Sequence, residues 1–297
     1  MTLADDTVAG LLRGIRHPNP AARIRAARGF SKLPNPSAEA FPLLLSAVDD
    51  PEQGVREASV QALGAYGQAA LPTLAEFLNH PDKYVRRNAV WAIGKFGPAA
   101  RFAISPLCNA LRDADPRTAA GAAQALGGMG AVAGPAVPAL IEAMRGTNVV
   151  LCRLASKALS QIGAPALEPL MANLRHHDPF VRAEVALALG WMGPLAREAV
   201  SELVQLIETY RPKVTAGRPA EYRPAGSGGS ITPPAMPAAG AQSSEEAARV
   251  NGIQALGRIG ADATSALGLL REIAGKEAEP YRGAAASAIR EIGPDGS

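Results

Sequence analysis

Histidine, cysteine and a recurring arginine are the residues of this chain whose chemistry reaches beyond packing. The imidazoles are His17, His80, His176 and His177. A zinc pair on a helix wants two histidines one turn apart, so that both rings reach one ion. No pair has that spacing, adjacent His176 and His177 included. All four fall in segments that read as turns between helices, where polar residues are ordinary. Cys108 and Cys152 lie in segments that read as helices, which favours buried free thiols over a disulfide framework or a metal site. No glycine-rich phosphate loop follows a strand, because no strand pattern is sustained anywhere. The residues thus point to no catalytic group, no metal and no cofactor. What remains is recognition by arginine, tryptophan and a polar helix face.

Those residues are set by a repeat. The segment from Pro81 through Val85-Arg86 and Ile93-Gly94 to Gly97 recurs as Val55-Arg56 through Leu63-Gly64 to Gly67. It recurs again as Val181-Arg182 through Leu189-Gly190 to Gly193, as Ala248-Arg249 through Leu256-Gly257 to Gly260, and as Tyr281-Arg282 through Ile289 to Gly293. Weaker copies end at Pro34, Gly130 and Gly163. The closing positions 34, 67, 97, 130, 163, 193, 260 and 293 are spaced by 33, 30, 33, 33, 30, 67 and 33 residues, giving eight units. The long interval carries an insertion over residues 211–243, rich in Pro and Gly. It cannot bury enough apolar surface to order itself and reads as a flexible loop inside the seventh unit.

Each unit reads as two helices. A proline recurs 13 or 14 residues before the arginine position, at Pro42, Pro72, Pro106, Pro138 and Pro169, in or near the first helix's opening turns. In the second helix of unit three, Val85, Ala89, Ala92, Ile93 and Phe96 share one face and must be buried. The glycines read mostly as helix stops, as Gly97-Pro98 does, because glycine accepts the left-handed cap and proline cannot continue a helix.

The run Val-Arg-x-x-Ala-x-x-Ala-Leu-Gly-x-x-Gly, preceded by Asp-Pro or His-Pro, resembles the HEAT repeat, in particular the bacterial HEAT-like repeats named for phycobilisome lyase subunits. The resemblance covers the chain except the insertion. It implies an all-α fold, a right-handed α-solenoid of eight helical hairpins forming a single domain over residues 1–297, with the second helices lining the concave side. It is specific for fold and poor for function. The His-Glu dipeptides on which the HEAT-like metal enzyme deoxyhypusine hydroxylase rests are absent.

Two sets of residues follow. Arg23, Arg56, Arg86, Arg182, Arg249 and Arg282 occupy the repeated arginine position in six of the eight units, with Ala119 and Cys152 in its place in units four and five. Near aspartates such as Asp50, Asp82 and Asp178, they read as an inter-repeat ladder, each guanidinium bridging a loop carboxylate or carbonyl. A row of phosphate-binding arginines is the competing reading and requires them to face solvent.

The second set is the stripe beside the buried face: Arg28; Gln61; Asn88, Trp91 and Lys95; Gln124; Lys157 and Gln161; Glu184 and Trp191; Asn251, Gln254 and Arg258. Trp91 and Trp191, the two tryptophans of the chain, read either as exposed binding anchors or as rings laid flat over a neighbouring helix. The cluster Arg13, Arg16, His17, Arg23, Arg25, Arg28 and Lys32 reads as a solvated terminal cap, or as a dock for an acidic partner.

Composition agrees with close helix packing, since 47% of residues are hydrophobic and only 4% aromatic. A net charge of +3 falls short of what a dedicated nucleic-acid binder carries, and argues against nucleic acid as the partner. An acidic start and the lack of about 18 consecutive apolar residues give the expectation of a cytoplasmic protein with no membrane span. The function read from the sequence is a non-catalytic scaffold or adaptor that binds a protein or peptide on its concave face. The alternative is a HEAT-like subunit associated with a lyase or oxidoreductase activity.

Overall fold

A computed structural model of the chain describes residues 8–33, 37–210 and 244–293. These residues hold sixteen α-helices joined by turns and short 3-10 segments, and no strand. They form two compact units, one ending at Pro169 and the other beginning at Leu170. The expected insertion over 211–243 and the closing position Pro34 lie outside the described residues.

In the first unit a short helix precedes each longer one. The short helices are α1 (Val8–Gly14), α3 (Ala40–Ser46), α5 (Leu71–Glu76), α7 (Ile104–Ala110) and α9 (Val137–Met144). Each packs on its successor: α2 (Pro20–Phe30), α4 (Gln53–Gly64), α6 (Lys83–Gly94), α8 (Pro116–Gly128) and α10 (Val149–Ile162), in that order. The longer helices lie side by side in one row, α2 on α4, α4 on α6, α6 on α8 and α8 on α10. The short helices are bridged by 3-10 turns: Gly97–Ala103 touches both α5 and α7, and Gly130–Ala136 both α7 and α9.

The second unit takes in the end of α11 (Ala164–Asn173), then α12 (Pro179–Met192), α13 (Val200–Thr209), α14 (Ser244–Ile259), α15 (Leu267–Lys276) and α16 (Tyr281–Ile292). Here α12 packs on α14 and α14 on α16, while α13 packs on α14 and α15 on α16.

Local chemistry starts and stops these helices. Asn19, Asp82, Asp115, Asn148 and Asp178 each cap the helix that follows, their side chains accepting from its first free amides. Pro72 and Pro138 sit in the first turn of α5 and α9, where a missing N–H costs nothing, and Pro169 lies inside α11. At the other end, every described residue with positive φ is a closing glycine: Gly67, Gly97, Gly130, Gly163, Gly193, Gly260 and Gly293, between 50° and 94°. Val85, Ala89, Ala92 and Ile93 of α6 are buried as their spacing requires. Phe96, expected on the same face, lies beyond the helix end and is half-buried, its amide donating to Ile93.

Glycines inside the longer helices do something the sequence reading did not assign. A Cβ added at Gly64 would lie 3.3 Å from Ala92 Cβ, and one at Gly94 3.3 Å from Ala125 Cβ. At Gly127 it would lie 2.9 Å from Ala158 Cα. In the second unit Gly190 meets Ala255 Cα at 3.2 Å and Gly257 meets Ala288 Cα at 2.8 Å by the same measure. The glycine of one Ala-Leu-Gly or Ala-Ile-Gly triplet thus faces the alanine that opens the corresponding triplet of the next repeat. The helices come closer here than larger residues would allow.

Candidate functional site

The repeated arginines are largely occupied. Arg23 Nε donates to Asp50 Oδ2 at 2.8 Å and Nη2 to Oδ1 at 2.9 Å, while Nη1 donates to the carbonyls of His17 and Pro18. Arg86 does the same with Asp113 at 2.6 and 2.9 Å and with the carbonyls of His80 and Pro81. Arg56 pairs with Asp82 at 2.6 Å and bonds the carbonyls of Asp50 and Pro51. Each guanidinium therefore closes the turn before its own helix and reaches a carboxylate in the turn before the next longer helix.

Cys152, in the arginine's place, donates its thiol to Gly146 O at 3.1 Å, six residues back, the carbonyl an arginine would take. In the second unit Arg249 is wholly buried, forking onto Glu277 at 2.6 and 2.8 Å and donating Nε to Ile207 O. Arg182 bonds the carbonyls of His176 and His177 and lies 4.0 Å from the Tyr210 ring, with Glu245 at 3.8 Å. Among the described residues Arg282 pairs only with its exposed neighbour Glu279, at 3.2 Å.

One pair escaped the sequence reading. Arg87, next to the repeated arginine, donates Nε to Asp115 Oδ2 at 2.6 Å and Nη2 to Oδ1. Asp115 also caps α8 by accepting from the amide and hydroxyl of Thr118. Arg87 first, then Thr118, hold the Asp115 carboxyl far below the usual carboxylate range against the opposing effect of burial. A pKa depressed in the folded state adds stability above the unfolded value of about 3.9, and that stability is lost as pH falls below it. Asp115→Asn is therefore expected to cost about 1–2 kcal/mol at neutral pH. It should also flatten the acid limb of stability against pH, checked by urea unfolding from pH 7 downward; an unchanged acid limb would contradict the assignment.

The histidines serve the turns. His17, His80 and His176 accept through Nδ1 from the amides of Asn19, Asp82 and Asp178, at 3.0 to 3.1 Å. Those three residues then cap the following helix. Among the described residues no group of three His, Cys, Asp or Glu side chains could hold a metal ion.

In the first unit the expected recognition stripe is a surface. Arg28, Gln61, Trp91, Lys95, Gln124, Lys157 and Gln161 are exposed, drawn from all five longer helices, and Asn88 is half-buried. Gln61 donates to Asn88 Oδ1 at 3.2 Å across the α4–α6 boundary. Trp91 is 51% exposed, with Lys95 Nζ 3.5 Å from its ring centre. A groove of about 480 Å³ opens beside it between α6 and α8, bordered by Val90, Trp91, Lys95, Arg117, Gly121 and Gln124.

In the second unit Trp191 and Arg258 are exposed, while Asn251 and Gln254 are half-buried. A groove of about 360 Å³ between α14 and α16 includes Gln254 and Arg258, the positions equivalent to Trp91 and Lys95. Glu184 does not belong to a surface: it is 1% exposed. The stripe assumes that each longer helix keeps one open side, but α12 is covered all round: every residue from Val181 to Gly190 is buried, Arg182 and Glu184 included. Asn251 spends its amide on Ala183 O at 2.9 Å.

Known proteins resemble this chain in fold. Among curated protein sequences none matches. YIBA_ECOLI aligns with a TM-score of 0.50 at 15% identity, covering 96% of this chain and 92% of its own. The karyopherin Kap121p, solved bound to the extreme C-terminus of the protein phosphatase Cdc14p, gives 0.62 at 13% identity over 96% of this chain, which spans only 33% of the karyopherin. The complex of CpcE and CpcF of phycocyanin lyase from Nostoc sp. PCC7120 gives 0.43 at 22% identity, covering 69% of this chain and 87% of that one. The family profile described as HEAT repeats matches residues 8–80, 71–156 and 137–217. With the helical pairs, the closing glycines and the repeated arginine on one frame, that match places the chain in the HEAT-repeat family.

Proposed function

We propose that the protein is a non-catalytic scaffold or adaptor, and that the row of longer helices is the surface on which it holds a protein or peptide partner. The observation that carries this reading is Trp91, half exposed on the same face as glutamines from α4, α8 and α10. A large ring left in water among polar neighbours is the composition of a recognition surface rather than of a core. The packing supports it as well. The longer helices pack so closely at Gly64, Gly94 and Gly127 that an added Cβ would lie within 3.3 Å of the next helix, whereas the short helices are bridged by 3-10 turns. In a row of hairpins, the side whose helices crowd most closely is the inner side of the bend. The arginine row, in this proposal, staples successive repeats so that the surface keeps its spacing.

Photo-crosslinking tests the reading. Benzoylphenylalanine placed at Gln61 or Gln124 is expected to capture a co-purifying partner, and at Ser105 or Glu142, exposed on the short helices, to capture none. The opposite pattern would move the binding surface to the other side of the row.

A further inference from the structure

We infer that the partner segment seated on the α6–α8 groove is acidic: a stretch of Asp or Glu side chains around an apolar residue that packs on Trp91. This inference rests on the scaffold reading above and adds the chemistry of the occupant.

The first unit separates its charges. Its longer helices carry ten arginines and lysines and a single carboxylate, Glu57. The aspartates lie in the turns instead, where Asp50, Asp82, Asp113 and Asp115 are spent on Arg23, Arg56, Arg86 and Arg87. Pairing in the turns leaves the helix faces uncompensated. Arg28, Lys95, Arg117 and Lys157 are exposed and, among the described residues, reach no carboxylate. A surface with one sign of charge selects and steers a partner of the other sign.

The groove gives that charge a seat. Its floor is where α6 and α8 close on each other, since a Cβ at Gly121 would lie 2.9 Å from the buried Val90 Cγ1. Trp91 and Lys95 form one wall and Arg117 stands on the other, so an apolar side chain can lie against the indole with a carboxylate on either flank. Gln61, Gln124 and Gln161 bring amide donors and acceptors, which match the N–H and C=O groups of an extended peptide. A nucleic acid fits less well. The net charge of +3 falls short of what a dedicated nucleic-acid binder carries, while the Lys95 ammonium at the edge of the groove is placed to pair with a carboxylate.

Fluorescence anisotropy with the full chain tests this. The probe is a labelled peptide of glutamates flanking one leucine; the controls are the same peptide with glutamines and an oligothymidine of equal length. Saturable binding is expected for the glutamate peptide only, weakening as salt rises. The double variant Lys95→Glu/Arg117→Glu is expected to bind about tenfold or more weakly. Arg101→Glu/Arg112→Glu makes the same charge change at exposed positions off this face, and should shift binding less than about twofold. Circular dichroism melts of both variants show that the fold survives.

Equal loss in the two variants would reduce the effect to bulk charge and overturn the inference. So would tighter binding of the oligothymidine, or no saturable binding of the glutamate peptide. If Gln61 and Gln124 crosslink a partner whose bound segment is neutral or basic, the scaffold reading stands and this inference alone fails.

Discussion

Gly127→Ala destabilises the protein by about 1–2 kcal/mol, while Gly128→Ala, one residue on, stabilises it by about 0.5–1 kcal/mol. Both glycines lie in the last turn of α8 and neither has a positive φ, so both substitutions gain the same helical preference. They differ in what the new methyl meets. At Gly127 it comes within 2.9 Å of Ala158 Cα, and the α8–α10 contact must spread to admit it. A backbone atom cannot rotate away as a side-chain end can, so the overpacking outweighs the propensity gain. At Gly128 nothing lies within 4 Å and only the gain remains. Gly257→Ala, whose methyl would lie 2.8 Å from Ala288 Cα, should repeat the loss in the second unit. Urea unfolding midpoints of the three variants decide the matter. Stabilisation at Gly127 would mean that adjacent repeats do not approach as closely as the glycine–alanine column requires.

That column marks where the sequence stopped being readable. The closing glycines were legible from spacing alone, because a left-handed cap is a local requirement and the periodic pattern ends there. The glycine inside Ala-Leu-Gly follows the same repeat, but its reason lies in the next helix, and no single segment carries it. Arg86 could be assigned to a carboxylate because aspartates stood nearby in sequence; that the carboxylate would be Asp113, in the turn before α8, needed the packing.

Arg87 was missed for a related reason. It has no counterpart in most repeats, and its pairing with Asp115 depends on a cap that serves α8 first. The surface stripe could be placed in the first unit because its longer helices alternate polar and apolar faces. Glu184 failed because α12 does not: with Val181, Val185, Leu187 and Leu189 around it, one polar residue at the right column was no sign of an open side. Periodicity finds the buried face of a helix, and whether the opposite face meets water depends on neighbours that the helix's own sequence does not encode.

The same dependence on neighbours splits the arginine row into members of very different weight. Glu277→Gln is expected to cost the second unit about 3–5 kcal/mol, because it strips the counter-charge from a guanidinium with no exposure to solvent. Arg249 would keep its bond to Ile207 O at 2.9 Å and its place 4.4 Å from the Tyr281 ring. Neither contact neutralises a charge. Arg249→Met should cost less, since Glu277 is 12% exposed and can turn toward water once the arginine is gone. The double variant Arg249→Met/Glu277→Leu removes both charges together and should be more stable than Glu277→Gln alone. Arg282→Ala, at the same repeat position but 58% exposed and, among the described residues, paired only with the equally exposed Glu279, should change stability by less than about 0.5 kcal/mol. Thermal unfolding of the four variants gives the ranking. If Arg282→Ala proves as damaging as Glu277→Gln, repeat position rather than burial governs the contribution of these arginines, and the staple acts through something other than the carboxylates it is seen to hold.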